Sequence, residues 1–82
     1  MVTTMPEVIT VYRLPIRLGQ FLKLIEIAGD GGEATMLITS GQVEVNAVTE
    51  RRRGRKLVVE DRIRIMGKVW SIALPETEEK DR

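Results

Sequence analysis

The sequence predicts an α+β domain in which two short helices pack on one small antiparallel β-sheet. Apolar residues recur at helical spacing between Arg17 and Ala28, and again between Gly32 and Ser40. Beyond Gly41 the apolar period drops to two, the signature of half-buried strands, and Gly and Pro punctuate the changes. Neither helix could bury its apolar side alone, so the pair must cover one face of the sheet.

The elements follow in order. Glu7 to Val11 alternate weakly between Pro6 and Pro15, which suits a short leading strand. From Arg17 to Ala28 the residues Leu18, Phe21, Leu22, Ile25 and Ala28 form a buried helical face. Gln20 and Lys23 fall on its polar side, and Arg17 in its first turn. Gly29-Asp30-Gly31-Gly32 ends this helix and starts another. Asp30 with Glu33 three residues on resembles a capping box, Ala34, Leu37 and Ile38 face inward, and Gly41 is a natural stop. Val43 and Val45 alternate with polar residues, and Asn46-Ala47 turns the chain toward Val48. Arg51 to Lys56 contains Gly54 and no apolar residue, so an exposed loop is expected. Leu57 to Val59 returns to the core, Glu60-Asp61 turns, and Arg62-Ile63-Arg64-Ile65 alternates as a strand. Met66-Gly67 makes a hairpin into Lys68 to Leu74, with Trp70, Ile72 and Leu74 on one face. The expected organisation is an N-terminal extension over residues 1–15, a domain over residues 16–74, and an acidic, disordered tail over residues 75–82.

Composition narrows the chemistry. A chain of 82 residues holds a single domain, and with one Trp, one Tyr and one Phe its core must be aliphatic. The absence of cysteine excludes disulfides and thiolate zinc sites. The absence of histidine removes the commonest general base as well. The carboxylates are scattered on turns and tail, so no catalytic residue, metal site or cofactor is expected. Met1 to Val11 does not read as a signal peptide, and no apolar run reaches membrane-spanning length. A cytoplasmic monomer with no membrane partner is the expectation.

Charge is the informative signal. The formal net charge is only +1, yet eleven basic residues between Arg13 and Lys68 face seven acidic ones, while the tail is net negative. Five of the six residues Arg51, Arg52, Arg53, Gly54, Arg55 and Lys56 are cationic. Such a run can be a solvated loop, but crowded like charges oppose folding, and a polyanion would relieve them. Arg62 and Arg64 share a strand face, which equally suits an outer, solvated surface. Gly29 to Gly32 lacks the Gly-Lys-Ser/Thr ending of a phosphate loop. The amides of Gly31 and Gly32 at a helix start would welcome an anion, whereas Glu33 opposes one. Phe21 and Trp70 sit in apolar patterns and belong to the core, so recognition by base stacking is disfavoured. Shape and phosphate recognition of structured RNA is the favoured reading. The alternatives are a DNA-associated module and a protein adaptor that docks an acidic partner.

Four stretches carry a family resemblance: Ile16-Arg17-Leu18-Gly19-Gln20-Phe21-Leu22-Lys23, Gly31-Gly32-Glu33-Ala34, Val43-Glu44-Val45-Asn46, and Arg52-Arg53-Gly54-Arg55-Lys56-Leu57. In this order they resemble the S4 RNA-binding domain family (ribosomal-protein-S4-like, the αL motif), in particular its short stand-alone bacterial members. The likeness covers about Ile16 to Ile65. It implies two helices on a small antiparallel sheet, and a non-catalytic protein that binds ribosomal or transfer RNA or a ribosomal particle. It further implies that RNA is held by Arg17, Gln20 and Lys23, by Gly31 and Gly32, and by Asn46 with Arg51, Arg52, Arg53, Gly54, Arg55 and Lys56. The chain departs from the family pattern in three places. Gly31 stands where an Arg is frequent, Ala47 where Gly usually follows the Asn, and Glu60-Asp61 where Gly-Asp is usual.

Overall fold

In the computed structural model, which describes residues 6–75, seven strands and two helices share one core. The strands are β1 (Glu7–Thr10), β2 (Ile16–Arg17), β3 (Val43–Val45), β4 (Val48–Thr49), β5 (Lys56–Leu57), β6 (Arg62–Ile65) and β7 (Lys68–Ala73). The helices are α1 (Leu18–Leu24) and α2 (Gly31–Thr39). The acidic tail expected from Glu76 onward lies outside the described residues.

The main sheet has the order β1-β7-β6-β3-β4. Its pairs are antiparallel except the edge pair, where β1 runs parallel to β7 with Ile9 opposite Ile72. The α+β arrangement therefore stands, with one parallel pair added at the edge. Alternation sets the inner face. Val45, Ile63 and Trp70 lie in register across three strands, and with Val43, Ile65 and Ile72 they are buried. Against this face pack Leu18, Phe21 and Leu22 of α1 and Ala34 and Ile38 of α2, with Leu57 of β5 in the same cluster. The core is aliphatic apart from Phe21 and Trp70, both buried as the apolar pattern required.

Several expectations at element ends need correction. α1 stops at Leu24, short of Ala28, and Arg17 is its N-cap rather than part of its first turn. The stop is a Schellman turn: the Glu26 N–H donates to the Lys23 carbonyl and the Ile27 N–H to the Leu22 carbonyl, with Glu26 at φ 65°. That position usually holds Gly, and a Glu there left no sequence signal. Ala28 is buried by the turn, not by a helix face. α2 starts one residue earlier than expected, at Gly31, and Leu37 is only half-buried. Past Leu57, the residues Val58 and Val59 are exposed because the chain leaves the two-residue β5 for the Glu60 turn. Leu74 lies beyond β7 and is exposed as well.

A candidate nucleic-acid interface

β2 and β5 form a two-stranded antiparallel ribbon, with Arg17 opposite Lys56, that lays the basic loop along the start of α1. The first helical N–H groups lack intrahelical partners, and the loop supplies them. The Leu18 N–H donates to the Arg55 carbonyl at 2.8 Å and the Gly19 N–H to the Arg53 carbonyl at 2.9 Å. Gln20 Oε1 accepts from the Arg17 N–H at 3.0 Å. A Cβ at residue 19 would lie 3.5 Å from the Arg53 carbonyl oxygen, an ordinary van der Waals contact, so the loop docks against the helix start without requiring glycine there. Arg17 Nη1 donates to the Gly54 carbonyl at 3.2 Å and fastens the tip of the loop. The tip is a turn over Arg53-Gly54, closed by the Arg55 N–H to the Arg52 carbonyl at 3.2 Å.

This docking creates a groove of about 480 Å³ lined by Arg17, Gly19, Gln20, Lys23, Gly31, Ala34, Thr35, Arg53 and Gly54. Three segments far apart in sequence meet there: the starts of α1 and α2 and the loop tip. Its lining holds three cations and no carboxylate. Arg52, Arg55 and Lys56 border a shallower hollow that joins the groove at Gly54.

Other expected site residues are engaged in holding the fold. Arg51 Nη1 donates to the Thr39 carbonyl at 3.1 Å, at the C-terminal end of α2. There a cation is favourable to the helix dipole. Asn46 bridges two turns: its Nδ2 donates to Asp61 Oδ1 and its Oδ1 accepts from the Arg62 N–H, each at 2.9 Å. At the start of α2, Asp30 Oδ1 accepts from the Glu33 N–H at 2.9 Å, and the Glu33 carboxylate accepts from the Gly29 N–H. Two carboxylates thus stand where an anion would have to approach, and Gly32 faces Asp30 rather than the groove. Gly31 lines the groove as a small residue.

The residue that sequence reasoning missed is Glu50. It is buried, with only 7% of its surface exposed, inside the most basic part of the chain. Glu50 Oε2 accepts from the Arg52 N–H at 3.1 Å and from Arg52 Nε at 2.9 Å. Oε1 accepts from Arg52 Nη2 at 3.2 Å and from Arg55 Nη1 at 2.8 Å. These guanidinium bonds, those of Arg52 first and Arg55 next, lower the Glu50 pKa from 4.5 to about 2 against the opposing effect of burial. The sequence did carry a weak sign, an acid placed two and five residues before arginines of one loop. Crowded loop cations therefore have an internal counter-charge, and a polyanion would relieve chiefly the repulsion among those facing the groove. Among the described residues, Arg17, Lys23 and Arg53 form no ion pair. Ala34 and Thr35 also line the groove, and only the packing of α2 against α1 reveals that.

Helices over a small sheet, with a basic loop laid on the first helix, define a compact α+β domain. The S4 domain family model matches residues 9–73, and the chain belongs to that family. It is 46% identical over 52 residues to the probable ribosome maturation protein RlbA of Bacillus subtilis, covering 63% of this chain and 73% of that protein. Its fold is similar to that of YbcJ from E. coli, whose solution structure was described as revealing an αL motif involved in RNA-binding. The match has a TM-score of 0.61 at 25% identity and covers 88% of this chain and 95% of that one. No helix among the described residues is long and apolar enough to cross a membrane.

Proposed function

We propose that this protein is a non-catalytic, cytoplasmic RNA-binding protein that holds structured RNA, ribosomal RNA or a ribosomal particle in the first place, through the groove between α1, α2 and the loop tip. The observation that carries the reading is the convergence of Arg17, Lys23 and Arg53 on one concave surface without a carboxylate in its lining. Guanidinium and ammonium groups at a concave surface match phosphate oxygens, the guanidinium in a bidentate manner. Binding to a polyphosphate backbone releases condensed counterions, so affinity should fall steeply with salt. The αL description of YbcJ supports RNA as the polyanion, and the name of the Bacillus subtilis relative supports a ribosomal setting. Arg52 and Lys56 extend the same surface along the shallower hollow, and the outward edge of the Arg52 guanidinium faces solvent.

The test is fluorescence anisotropy of a labelled ribosomal RNA hairpin and the matching DNA across a salt series. The triple variant Arg17→Ala, Lys23→Ala, Arg53→Ala runs alongside, with its fold checked by circular dichroism. Tighter binding of RNA, lost in the folded variant, is expected. Each phosphate contact removed should lower the salt slope by about 1. Equal binding of RNA and DNA would favour a general nucleic-acid module, and no binding at low salt would favour a protein adaptor.

A further inference from the structure

We infer that Glu50 is the positioning residue of this interface: its buried carboxylate holds the basic loop in the shape that receives RNA. The inference rests on the proposed RNA-binding function and deepens it. The Glu50 N–H donates to the Val43 carbonyl at 2.9 Å, which ties the residue to β3 and so to the sheet. From that fixed point its two oxygens accept four hydrogen bonds, one from the backbone of Arg52 and three from the Arg52 and Arg55 guanidiniums. Arg52 and Arg55 are also the two ends of the turn that presents Arg53 and Gly54. Fixing both ends sets the Arg53 and Arg55 carbonyls toward the first amides of α1 and leaves the Arg53 side chain on the groove wall. One carboxylate thereby sorts the loop arginines by task. Arg52 and Arg55 shape the loop, with only the outward edge of Arg52 left free, and Arg53 is left to meet the ligand in full with Arg17 and Lys23.

Charge alone argues against an acid here. A carboxylate among phosphate-binding cations repels the polyanion, so removing it should tighten binding if the loop acts only as a cloud of positive charge. Preorganisation argues the other way. A loop released from Glu50 must be ordered again on binding, at the expense of conformational entropy, and its end arginines swing away from the groove edge. The two accounts predict opposite signs for one isosteric substitution.

The deciding experiment measures the wild type and Glu50→Gln against the same RNA hairpin across a salt series. Glutamine keeps the shape and raises the formal net charge from +1 by one unit. The expected result is roughly tenfold weaker binding by the variant despite its added charge, with no steepening of the salt slope. Equal or tighter binding by Glu50→Gln would overturn the inference. Failure of the wild type to bind RNA would instead remove the functional reading on which it rests. Should Glu50→Gln not fold, arginine side-chain nitrogen spectra of the wild type decide. Arg52 Nε–H and the Arg55 guanidinium should exchange slowly in the free protein and stay unchanged on adding RNA, while Arg53 Nε–H exchanges fast until RNA is added. Fast exchange of Arg52 and Arg55, or their release by RNA, would refute the positioning role.

Discussion

Gly41 shows how much a single backbone position carries in this chain. It lies at φ +86°, one residue past the C-cap of α2, and closes a Schellman turn through its N–H to the Ile38 carbonyl at 3.1 Å. A Cβ added there would come within 2.8 Å of the Arg51 guanidinium, which donates to the Thr39 carbonyl of the same helix end. The left-handed backbone therefore favours glycine, and a Cβ would in addition have to displace the Arg51 guanidinium from the helix end. Gly41→Ala should lower stability by about 1–3 kcal/mol, read as a lower urea midpoint with an unchanged m-value. Arg51 is the matching surprise. It belongs to the cationic run in the sequence, yet its guanidinium serves the end of α2 rather than the groove.

At the scale of elements, the turns explain where the chain leaves its family's pattern. The two-residue loop Asn46-Ala47 joins β3 to β4 with φ of 54° and 71°, both positive as in a type I′ turn. Asn tolerates that region, whereas Ala does not. Glu60, at φ 81°, stands in a second place where glycine is usual. Two of the three departures noted in the sequence, Ala47 and Glu60, thus fall on left-handed backbone, and the fold retains the turns at some local cost. Ala47→Gly should stabilise the protein by about 1 kcal/mol, which for a domain of this size raises Tm by roughly 4–8 °C. A lower Tm would mean that the Ala47 side chain makes compensating contacts. Met66-Gly67, at φ of 53° and 79°, places glycine at the second turn position but leaves Met66, like Ala47, on left-handed backbone.

Across the whole molecule, the groove exists because packing brings together three segments that the chain keeps apart. Its charge balance is likewise a property of the folded state. The Glu50 carboxylate meets Arg52 and Arg55 only in the fold, so its pKa falls from 4.5 to about 2 there and stays ordinary in the unfolded chain. Between those values the unfolded state binds more protons, and stability rises with pH. The contribution is complete above about pH 4.5 and is lost as pH falls through about 2. Because the Arg52 side chain is 76% exposed, solvent screens its share of the pair. Thermal melts between pH 5 and pH 2 should show the wild type losing more stability than a folded Glu50→Gln variant. Parallel pH profiles would mean that the pair contributes nothing to folding.

Apolar period and local turn chemistry, acting within a few residues, were enough to reveal the fold class, the presence of both helices, the strands β3, β6 and β7 and the turns between them. They did not reveal the short β2–β5 ribbon. Alternation in Arg62-Ile63-Arg64-Ile65 placed Ile63 and Ile65 inward without any knowledge of their neighbours. The motif stretches also marked Arg17, Gln20, Lys23, Gly31, Arg53 and Gly54, which the fold gathers around one groove. Tertiary structure alone decided the parallel placement of β1, the Schellman end of α1 at Glu26, and the division of the cations into those that hold the fold and those that face the groove. The physical reason is range. Period and propensity act along the chain, whereas the partners of Glu50, Arg51 and Asn46 are chosen by burial and hydrogen-bond geometry between elements that meet only after packing.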